Sequence, residues 1–384
     1  MTLPFASSRR ATLGVEWELA LVDTDTGDLR QVAPTVLAAV APADGSPHPQ
    51  IHQELLLNTV EVVTDVHTSV ADAMADLERN IDIVRQVTEP LRVDLMSVGT
   101  HPFAEWGNQR VTDKERYATL IDRTQWWGRQ MLIYGVHVHV GVEDRDKVLP
   151  IIGAMLTYYP HLLALSASSP YWAGRDTGYA SNRALLFQQL PTAGLPFTEI
   201  RTWAQLEGYV QDMVHTGVIE DFNEVRWDLR PSPQFGTIEM RICDGVSNWT
   251  ELRAITALTQ CLVEHFSRML DEGRQLPRIS PWFLAENKWR AARYGLEAIV
   301  ILDAAGREEL VTDSLTTLLA ELAPVARDLG CAGELEDVRQ IIAARGGAYR
   351  QRAVAARNGG QLDAVVRHLV DEFDAGVPLG PEHS

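Results

Sequence analysis

Short stretches in which apolar and polar residues alternate recur along the chain and predict β-strands. The clearest is 12–22, TLGVEWELALV, where every second residue from Leu13 onwards is apolar. The stretch 51–63 has the same extended character, with a break expected near Asn58. Further strands are predicted at 93–100, at 133–142, and as a pair at 224–230 and 236–243 joined by a turn at 231–233.

Apolar residues spaced three or four apart predict helices between and after these strands. The stretch 69–92 carries such a stripe, and Ser69 is a good cap for its first turn. Asn248 can cap a second helix in the same way. Helices are therefore predicted over 69–92, 146–168, 248–272 and from about 283 onwards.

The order of these elements indicates the fold class. Strands with interspersed helices come first and a run of helices follows, which predicts an α+β fold with an antiparallel-rich sheet. The stretch 169–200 is rich in Gly, Pro and aromatic residues and predicts a long structured loop over a site. We expect one catalytic domain over 1–384, with the sheet motifs in 11–275 and a helical C-terminal part in 283–384.

The strand at 12–22 holds two carboxylates together. Because strand side chains alternate, Glu16 and Glu18 share one face while Val15 and Trp17 share the other. Like charges this close repel, so ionising both requires a cation or a shared proton. Taken alone, the pattern fits a simply solvated strand face equally well.

Three other predicted strands repeat this division into one apolar face and one titratable or cationic face. Solvated strand faces ordinarily carry Thr, Ser, Lys and mixed polar residues. The polar faces here consist of His137 with His139, of Glu239 with Arg241, and of Arg226 with Asp228 and Arg230. Together with Glu16 and Glu18, they indicate the lining of a site that holds metal and phosphate.

Glu54 and Glu61 are candidates for the same site. They are an odd number of residues apart, so in one unbroken strand they would face opposite ways. A turn or bulge at 57–59 would let both reach it. The alternative is that Glu54 points inward and Glu61 is merely exposed.

The residue types indicate which ligands such a site takes. Carboxylates with one or two imidazoles suit Mg²⁺ or Mn²⁺, and two or three such ions would neutralise nucleotide phosphates. An HExxH motif is absent, and five glutamates are too many for one catalytic zinc. Arg241, Arg226 and Arg230 could add bidentate contacts to phosphate or carboxylate oxygens. The P-loop motif is absent too.

Composition narrows the function classes further. With 34 basic and 52 acidic residues among 384, the formal net charge is −18, which argues against nucleic-acid binding and a polybasic membrane contact. The three cysteines form no CxxC pair, which argues against a disulfide scaffold or a zinc ribbon. The first residues lack the apolar run of a signal peptide, so we expect a cytoplasmic protein.

The ordered motifs of 11–275 are specific in combination. They are GVEWE (14–18), Glu54 with Glu61, GTHP (99–102), GVHVH (135–139), YWAGRDTGYASNR (171–183) with FQQLPTAGLP (187–196), and TIEMR (237–241). In this order they resemble the carboxylate–amine ligases of the glutamate–cysteine ligase type 2 family. That resemblance implies the glutamine-synthetase-like fold.

The resemblance also implies a role for each motif residue. Metal ligands are implied at Glu16, Glu18, Glu54, Glu61, His137 and Glu239. His139 and Arg241 are implied phosphate contacts, although His137 and His139 could exchange roles. Arg183 is implied to bind a carboxylate of the amino-acid substrate. Thr100 and His101 are implied to line its pocket, and a simple strand-ending turn fits them equally well.

The implied reaction has two steps. ATP phosphorylates the γ-carboxylate of glutamate, and the amine of cysteine or another amine then displaces phosphate. Arg241, with Arg226 and Arg230, would offset charge on the transferred phosphoryl group. The alternatives are a metal-dependent hydrolase or phosphotransferase, and a non-catalytic nucleotide-binding homologue. Edge strands of such sheets often pair, so we expect a homodimer.

Overall fold

A computed structural model describes residues 2–383, so the outermost residues of the predicted domain, Met1 and Ser384, lie outside the described part. The strands of this part, in chain order, are β1 (Leu13–Asp23), β2 (Ile51–Gln53), β3 (Thr59–Val63), β4 (Val93–Met96), β5 (Val136–Gly141), β6 (Tyr171–Trp172), β7 (Arg175–Asp176), β8 (Leu229–Ser232), β9 (Thr237–Met240), β10 (Ile299–Ile301) and β11 (Glu308–Leu310). Seven of them form one sheet, ordered β2-β3-β1-β5-β9-β8 with β4 also beside β1. Its neighbouring strands are all antiparallel, as the sequence predicts.

Strand β1 is the organising element of this sheet. Its first half pairs with β5, its middle with β3 and its last residues with β4. The apolar residues of its alternating pattern are almost fully buried, and Trp17 packs edge-on against Trp249 with ring centroids 5.0 Å apart. The opposite face therefore remains available for polar side chains.

Helices of the described residues pack against this sheet and make up most of the C-terminal part. They are α1 (Ala33–Val40), α2 (Val70–Thr88), α3 (Glu115–Arg129), α4 (Arg145–Ser166), α5 (Arg183–Phe187), α6 (Trp203–His215), α7 (Trp249–Asp271), α8 (Pro281–Tyr294), α9 (Val311–Leu329), α10 (Ala332–Ala343), α11 (Gly347–Arg357) and α12 (Leu362–Ala375). The predicted caps are present, because the side chains of Ser69 and Asn248 accept hydrogen bonds from the first turns of α2 and α7.

Helices α4 and α7 pack against each other and cover the apolar face of the sheet. By length and composition α4 could cross a membrane, but 83% of its apolar window is buried inside the protein. The apolar residues of α4 thus belong to the hydrophobic core.

Three details differ from the sequence-based expectation. The predicted helical part after 283 contains a hairpin, β10–β11, where Gly306 has a positive φ in the connecting turn. Strand β8 begins only at Leu229 and includes Pro231, so the turn lies later than predicted. Proline is tolerated there because β8 is an edge strand that needs no second partner. Helices α1, α3, α5 and α6 were not predicted.

Candidate active site

The polar face of the sheet is built by strand register. Glu16 stands opposite His137, Glu18 opposite Glu61, and His139 opposite Glu239. Residues paired in this way lie on the same face of a sheet. Side chains alternate along each strand, and the register aligns neighbouring strands. Together these two effects bring the titratable side chains of β1, β3, β5 and β9 to one face of the sheet.

Three groups of potential metal ligands lie along this face. In each group the ligand atoms are within 4.8 Å of one another. The groups are Glu16–His139–Glu239, Glu16–Glu61–His137 and Glu18–Glu54–Glu61. Because Glu16 belongs to the first two and Glu61 to the last two, the groups form a continuous row. The structure thus brings together all six predicted metal ligands, with His139 as a seventh.

Glu54 reaches the row through the turn that the sequence analysis required. Strand β2 ends at Gln53 and β3 begins at Thr59, so the chain reverses between the two glutamates. Asn58 stabilises the turn by accepting hydrogen bonds from the hydroxyls of Thr59 at 2.8 Å and Tyr134 at 3.1 Å. The carbonyl of Glu54 accepts a hydrogen bond from the Thr112 hydroxyl at 2.7 Å.

In the middle of the row, hydrogen bonds from two histidines already stabilise the ionised carboxylate of Glu16. Burial opposes ionisation of Glu16, but hydrogen bonds from His137 and His139 outweigh it and hold its pKa well below the usual value. Nδ1 of His137 is 2.7 Å and Nε2 of His139 3.2 Å from its carboxylate. Burial, followed by the nearby Arg241, lowers the pKa of His137 to about 4. His137 is therefore a neutral imidazole at physiological pH, the form that binds a metal.

The two histidines differ in their remaining contacts. Nδ1 of His139 lies 2.9 Å from the Thr237 hydroxyl, so both of its ring nitrogens have partners. No hydrogen-bond partner of Nε2 of His137 is found among residues 2–383. His137 thus has the freer ligand nitrogen.

One end of the row carries more negative charge than its surroundings can stabilise. Burial first, and then Glu54, raises the pKa of Glu18 to about 8. Burial, followed by repulsion from Glu16, Glu54 and Glu18, raises the pKa of Glu61 well above its usual value. A cation among these carboxylates would remove the repulsion. An all-oxygen donor set fits Mg²⁺ or Mn²⁺.

The other end of the row is cationic. Arg230 donates to Glu239 at 2.6 Å, and Arg241 donates to the other oxygen of the same carboxylate. Burial would raise the pKa of Glu239, which is 1% exposed, but Arg241 and Arg230 outweigh it and lower the value. The two guanidinium groups are thus held in fixed positions at the edge of the row.

Arg226 lies at this cationic end, but Asp228 does not. Burial lowers the pKa of Arg226, and the charges of Arg241 and Arg230 lower it further. Its guanidinium donates to the Glu224 carbonyl at 2.9 Å. Asp228 accepts instead from Lys288 at 2.6 Å and Tyr159 at 2.8 Å in the helix layer. The predicted common face of 225–230 is wrong because the regular strand starts only at Leu229.

Arg183 is buried beside Glu18. Its Nη1 donates to the carbonyls of Arg241 and Ile242 at 3.1 Å each. A Cβ on Gly135 would lie 2.2 Å from its Nη2, so the guanidinium rests directly on that glycine. Its predicted contact with a substrate carboxylate stays a prediction.

Thr100 and His101 contact backbone groups rather than the glutamates. Thr100 donates to the carbonyl of Tyr171 at 2.7 Å. Nε2 of His101 lies 2.9 Å from the carbonyl of Gly27, and its Nδ1 accepts from the backbone of Phe103 and Ala104. These contacts favour the strand-ending turn, and a role in the substrate pocket stays a prediction.

Two features near the site were missed by the sequence analysis. Asp244, fully buried, accepts hydrogen bonds from Ser169 at 2.6 Å and Ser181 at 2.8 Å and so anchors the loop that carries Arg183. Lys114 and Arg116, at the start of α3, lie close enough to interact with Glu54 and Glu61. The basic residues at the start of 115–129 were the available signal, but that stretch was not recognised as a helix.

Comparison with known proteins identifies a family that this chain matches. Residues 12–371 match the family profile described as glutamate-cysteine ligase family 2. A relative from Arthrobacter sp. (strain FB24), provisionally named glutamate–cysteine ligase 2-1, is 59% identical over 98% of this chain and 99% of its own. One from Leifsonia xyli subsp. xyli (strain CTCB07), provisionally named glutamate–cysteine ligase 2, is 56% identical over the same shares.

A solved structure supports the fold at low sequence identity. The glutamate–cysteine ligase of Francisella tularensis, in complex with AMP, is similar with a TM-score of 0.71 at 12% identity. The match covers 96% of this chain and 90% of that one. The glutamine-synthetase-like α+β fold expected from the sequence is thereby confirmed.

Proposed function

Because the chain belongs to glutamate-cysteine ligase family 2, a family of ATP-dependent carboxylate–amine ligases, we propose that it joins L-glutamate to the amine of L-cysteine. ATP would phosphorylate the γ-carboxylate, giving γ-glutamyl phosphate and ADP. The amine would then attack the acyl carbon and release phosphate, leaving the amide. The observation that carries this proposal is the row of three carboxylate-rich groups that ends in Arg230 and Arg241.

We assign two or three Mg²⁺ or Mn²⁺ ions to the row, with His137 as the imidazole ligand. When bound, such ions neutralise phosphate charge and orient the phosphate oxygens. His137 is preferred over His139 because its Nε2 is the freer nitrogen. His139 is then the phosphate contact. Glu18, Glu54 and Glu61 form the all-carboxylate group.

Arg241 would stabilise the transferred phosphoryl group. Its ion pair with Glu239 fixes the guanidinium before substrate arrives, and its buried Nε has no hydrogen-bond partner among the described residues. A fixed cation is most effective where charge develops during a transfer. Arg230, held by the same carboxylate, and Arg226 add positive charge to this end.

The protein itself need not supply a nucleophile. Cys243, Cys261 and Cys331 are all buried, and burial raises the pKa of Cys243 to about 12. The attacking group is then the substrate amine, as in a ligase that passes through an acyl phosphate. We expect this reaction in the cytoplasm, where ATP and both amino acids are present.

The direct test combines ATP, Mg²⁺ and a panel of carboxylate and amine pairs, with ADP and amide products followed by mass spectrometry. We expect ADP to form only when both a carboxylate and an amine are present, with glutamate and cysteine giving γ-glutamylcysteine. Phosphate release that is indifferent to any amino acid would instead favour a hydrolase or phosphotransferase. Nucleotide binding without turnover would favour a non-catalytic homologue.

A further inference from the structure

The α3 segment, residues 110–134, begins and ends beside the carboxylate end of the row. At its start, the backbone N–H of Thr112 donates to the carbonyl of Leu55 at 2.8 Å, next to Glu54. Near its end, Met131 lines a small cavity together with Glu54. Both attachments of the segment thus lie at the same end of the row.

The middle of the segment reaches the opposite, cationic end. Arg123 of α3 donates a hydrogen bond to the carbonyl of Val218, and its charge is close enough to act on Arg226. Arg230 donates to the carbonyl of Asn223 at 3.2 Å, a few residues further along the chain from Val218. Helix α3 therefore lies across the row, from the carboxylates to the arginines.

Little space is left beneath this segment. The cavity that Met131 lines with Glu18 and Glu54 has a volume of about 20 Å³. That is room for about one water molecule, whereas sites that enclose small ligands measure about 300–1,000 Å³. A nucleotide can thus reach this end of the row only after part of its surroundings moves.

Helix α3 is buried little enough to be the part that moves. Of its 15 residues only Tyr117, Ile121 and Gly128 are buried, whereas most residues of α7 are buried. The side chains of Trp126 and Trp127, near its end, are 55% and 46% exposed. Elements with few buried apolar contacts are the ones that open locally in a folded protein.

A backbone outlier marks where α3 would bend. Gln125 has φ 51° and ψ −122°, which are non-helical values inside the helix. A residue with a side chain is strained in this conformation, and such residues cluster at elements that switch. At the other end, Asp113 is exposed and separates the paired Thr112 from the helix. Residues 114–124 could therefore rotate about Asp113 and Gln125.

The start of α3 carries two cations that lie near carboxylates but are not paired with them. Lys114 and Arg116 are close enough to interact with Glu54 and Glu61. No Asp or Glu oxygen of residues 2–383 lies within 4.0 Å of their charged nitrogens. Arg116 lies over the Tyr117 ring, 4.5 Å from its centroid, which holds the guanidinium in place and leaves donors for an anion.

We propose that residues 114–124 form a lid, which opens to admit the nucleotide and closes when Lys114 and Arg116 bind its phosphates. Closure would also shield an acyl phosphate from water, which would otherwise hydrolyse it. The lid rests on the proposed function for the identity of its ligand, ATP.

Hydrogen exchange of the full chain, followed by mass spectrometry, tests whether the lid moves. Without ligand, the amides of 114–124 should exchange at least about a hundredfold faster than those in the core of α7. Mg²⁺ with a non-hydrolysable ATP analogue should slow them about tenfold, because binding favours the closed form. Mg²⁺ with adenosine, which lacks phosphates, is the ligand control and should not slow them. Exchange that is the same with and without bound analogue would overturn the proposal.

A double variant tests the two cations. Lys114→Gln with Arg116→Gln should abolish the slowing in 114–124 and weaken binding of the analogue about tenfold. Arg129→Gln, an exposed arginine at the other end of α3, is the matched control and should keep the slowing. A double variant that responds like the wild-type protein would overturn the assignment of Lys114 and Arg116.

A pair of substitutions tests the bend. Gln125→Gly should relieve the strain of the closed form, because glycine adopts a positive φ readily. Exchange of 114–124 without nucleotide should then slow about tenfold. Gln125→Ala keeps a Cβ and should exchange like the wild-type protein. Equal exchange in the two variants would show that the lid does not turn at Gln125.

The two proposals fail separately. Slowing of exchange in 114–124 by the ATP analogue, without amide formation from ATP, would refute the ligase reaction and retain the lid. Amide formation by a protein whose α3 exchange does not respond to bound nucleotide would retain the ligase reaction and refute the lid.

Discussion

At the scale of single residues, Glu239 controls the cationic end of the site. Its carboxylate is buried and shared by Arg230 and Arg241. A buried charge that loses its partner is strongly destabilising, so the two arginines depend on this one residue.

We therefore expect Glu239→Gln to lower the free energy of unfolding by about 3 kcal/mol and to weaken Mg²⁺-dependent ATP binding by at least about tenfold. Urea unfolding and calorimetric titration would measure the two effects. Glu115→Gln, an exposed glutamate at the start of α3, should change neither. ATP affinity equal to that of the wild type would show that Glu239 is not part of the phosphate site.

His101 has a different residue-scale role, in stability. Burial lowers its pKa from 6.5 to about 4. Its Nδ1 accepts two backbone hydrogen bonds, from Phe103 and Ala104, and a proton there would break both. The unfolded chain therefore takes up this proton first as the pH falls, so the stability due to neutral His101 is complete above about pH 6.5 and is lost towards about pH 4.

His101→Asn keeps an acceptor near the position of Nδ1 but cannot titrate. Between pH about 7 and about 4.5, the wild-type protein should lose about 2 kcal/mol more unfolding free energy than this variant. Denaturant unfolding at several pH values would measure the difference. Parallel pH curves would mean that protonation of His101 does not limit acid stability.

At the scale of elements, the residue that directly precedes β5 must be glycine. Gly135 precedes the strand, its backbone N–H donates to the carboxylate of Glu18, and the Arg183 guanidinium rests on its Cα. A side chain at this position would displace the arginine.

Gly135→Ala should accordingly raise the KM for glutamate about tenfold while changing that for ATP less, as should Arg183→Ala. The control is Gly208→Ala in α6, where an added Cβ meets nothing within 4 Å. Steady-state kinetics with each substrate varied would measure the effects. Equal losses for both substrates would contradict the predicted contact of Arg183 with a substrate carboxylate.

Elements also show what the sequence can and cannot predict. The faces holding Glu16 with Glu18 and His137 with His139 follow from alternation within a few residues, a local property. The positions of Arg183 and Arg116 depend on which distant segments become neighbours, and no local pattern encodes that. The β10–β11 hairpin was missed for a related reason, since its strands are three residues long and lie among helices.

At the scale of the whole molecule, part of the acidity is concentrated in the row instead of being spread over the surface. The carboxylates of the row repel one another, and this repulsion destabilises the folded protein when no metal is bound. Cations that bind only the folded state should relieve it. The homodimer expected from the sequence stays a prediction, which light scattering after gel filtration would test.

We expect Mg²⁺ at about a hundredfold excess over its dissociation constant to raise the free energy of unfolding by about 3 kcal/mol. Glu61→Gln should be more stable than the wild type without metal, because burial and the neighbouring carboxylates raise the pKa of Glu61 well above its usual value. The same variant should gain less from Mg²⁺. Thermal unfolding with Mg²⁺ or with chelator would measure both, and a variant that is less stable than the wild type in chelator would contradict the repulsion.

The sharing of ligands along the row has a further consequence. Glu16 and Glu61 each belong to two groups, whereas Glu54 and His139 each belong to one. Ions bound in adjacent groups would therefore be thermodynamically coupled, because each alters a carboxylate that its neighbour also uses. Metal titrations should therefore not fit a model of independent, identical sites. Substitution of a ligand that serves two ions should weaken metal binding more than substitution of a ligand that serves one.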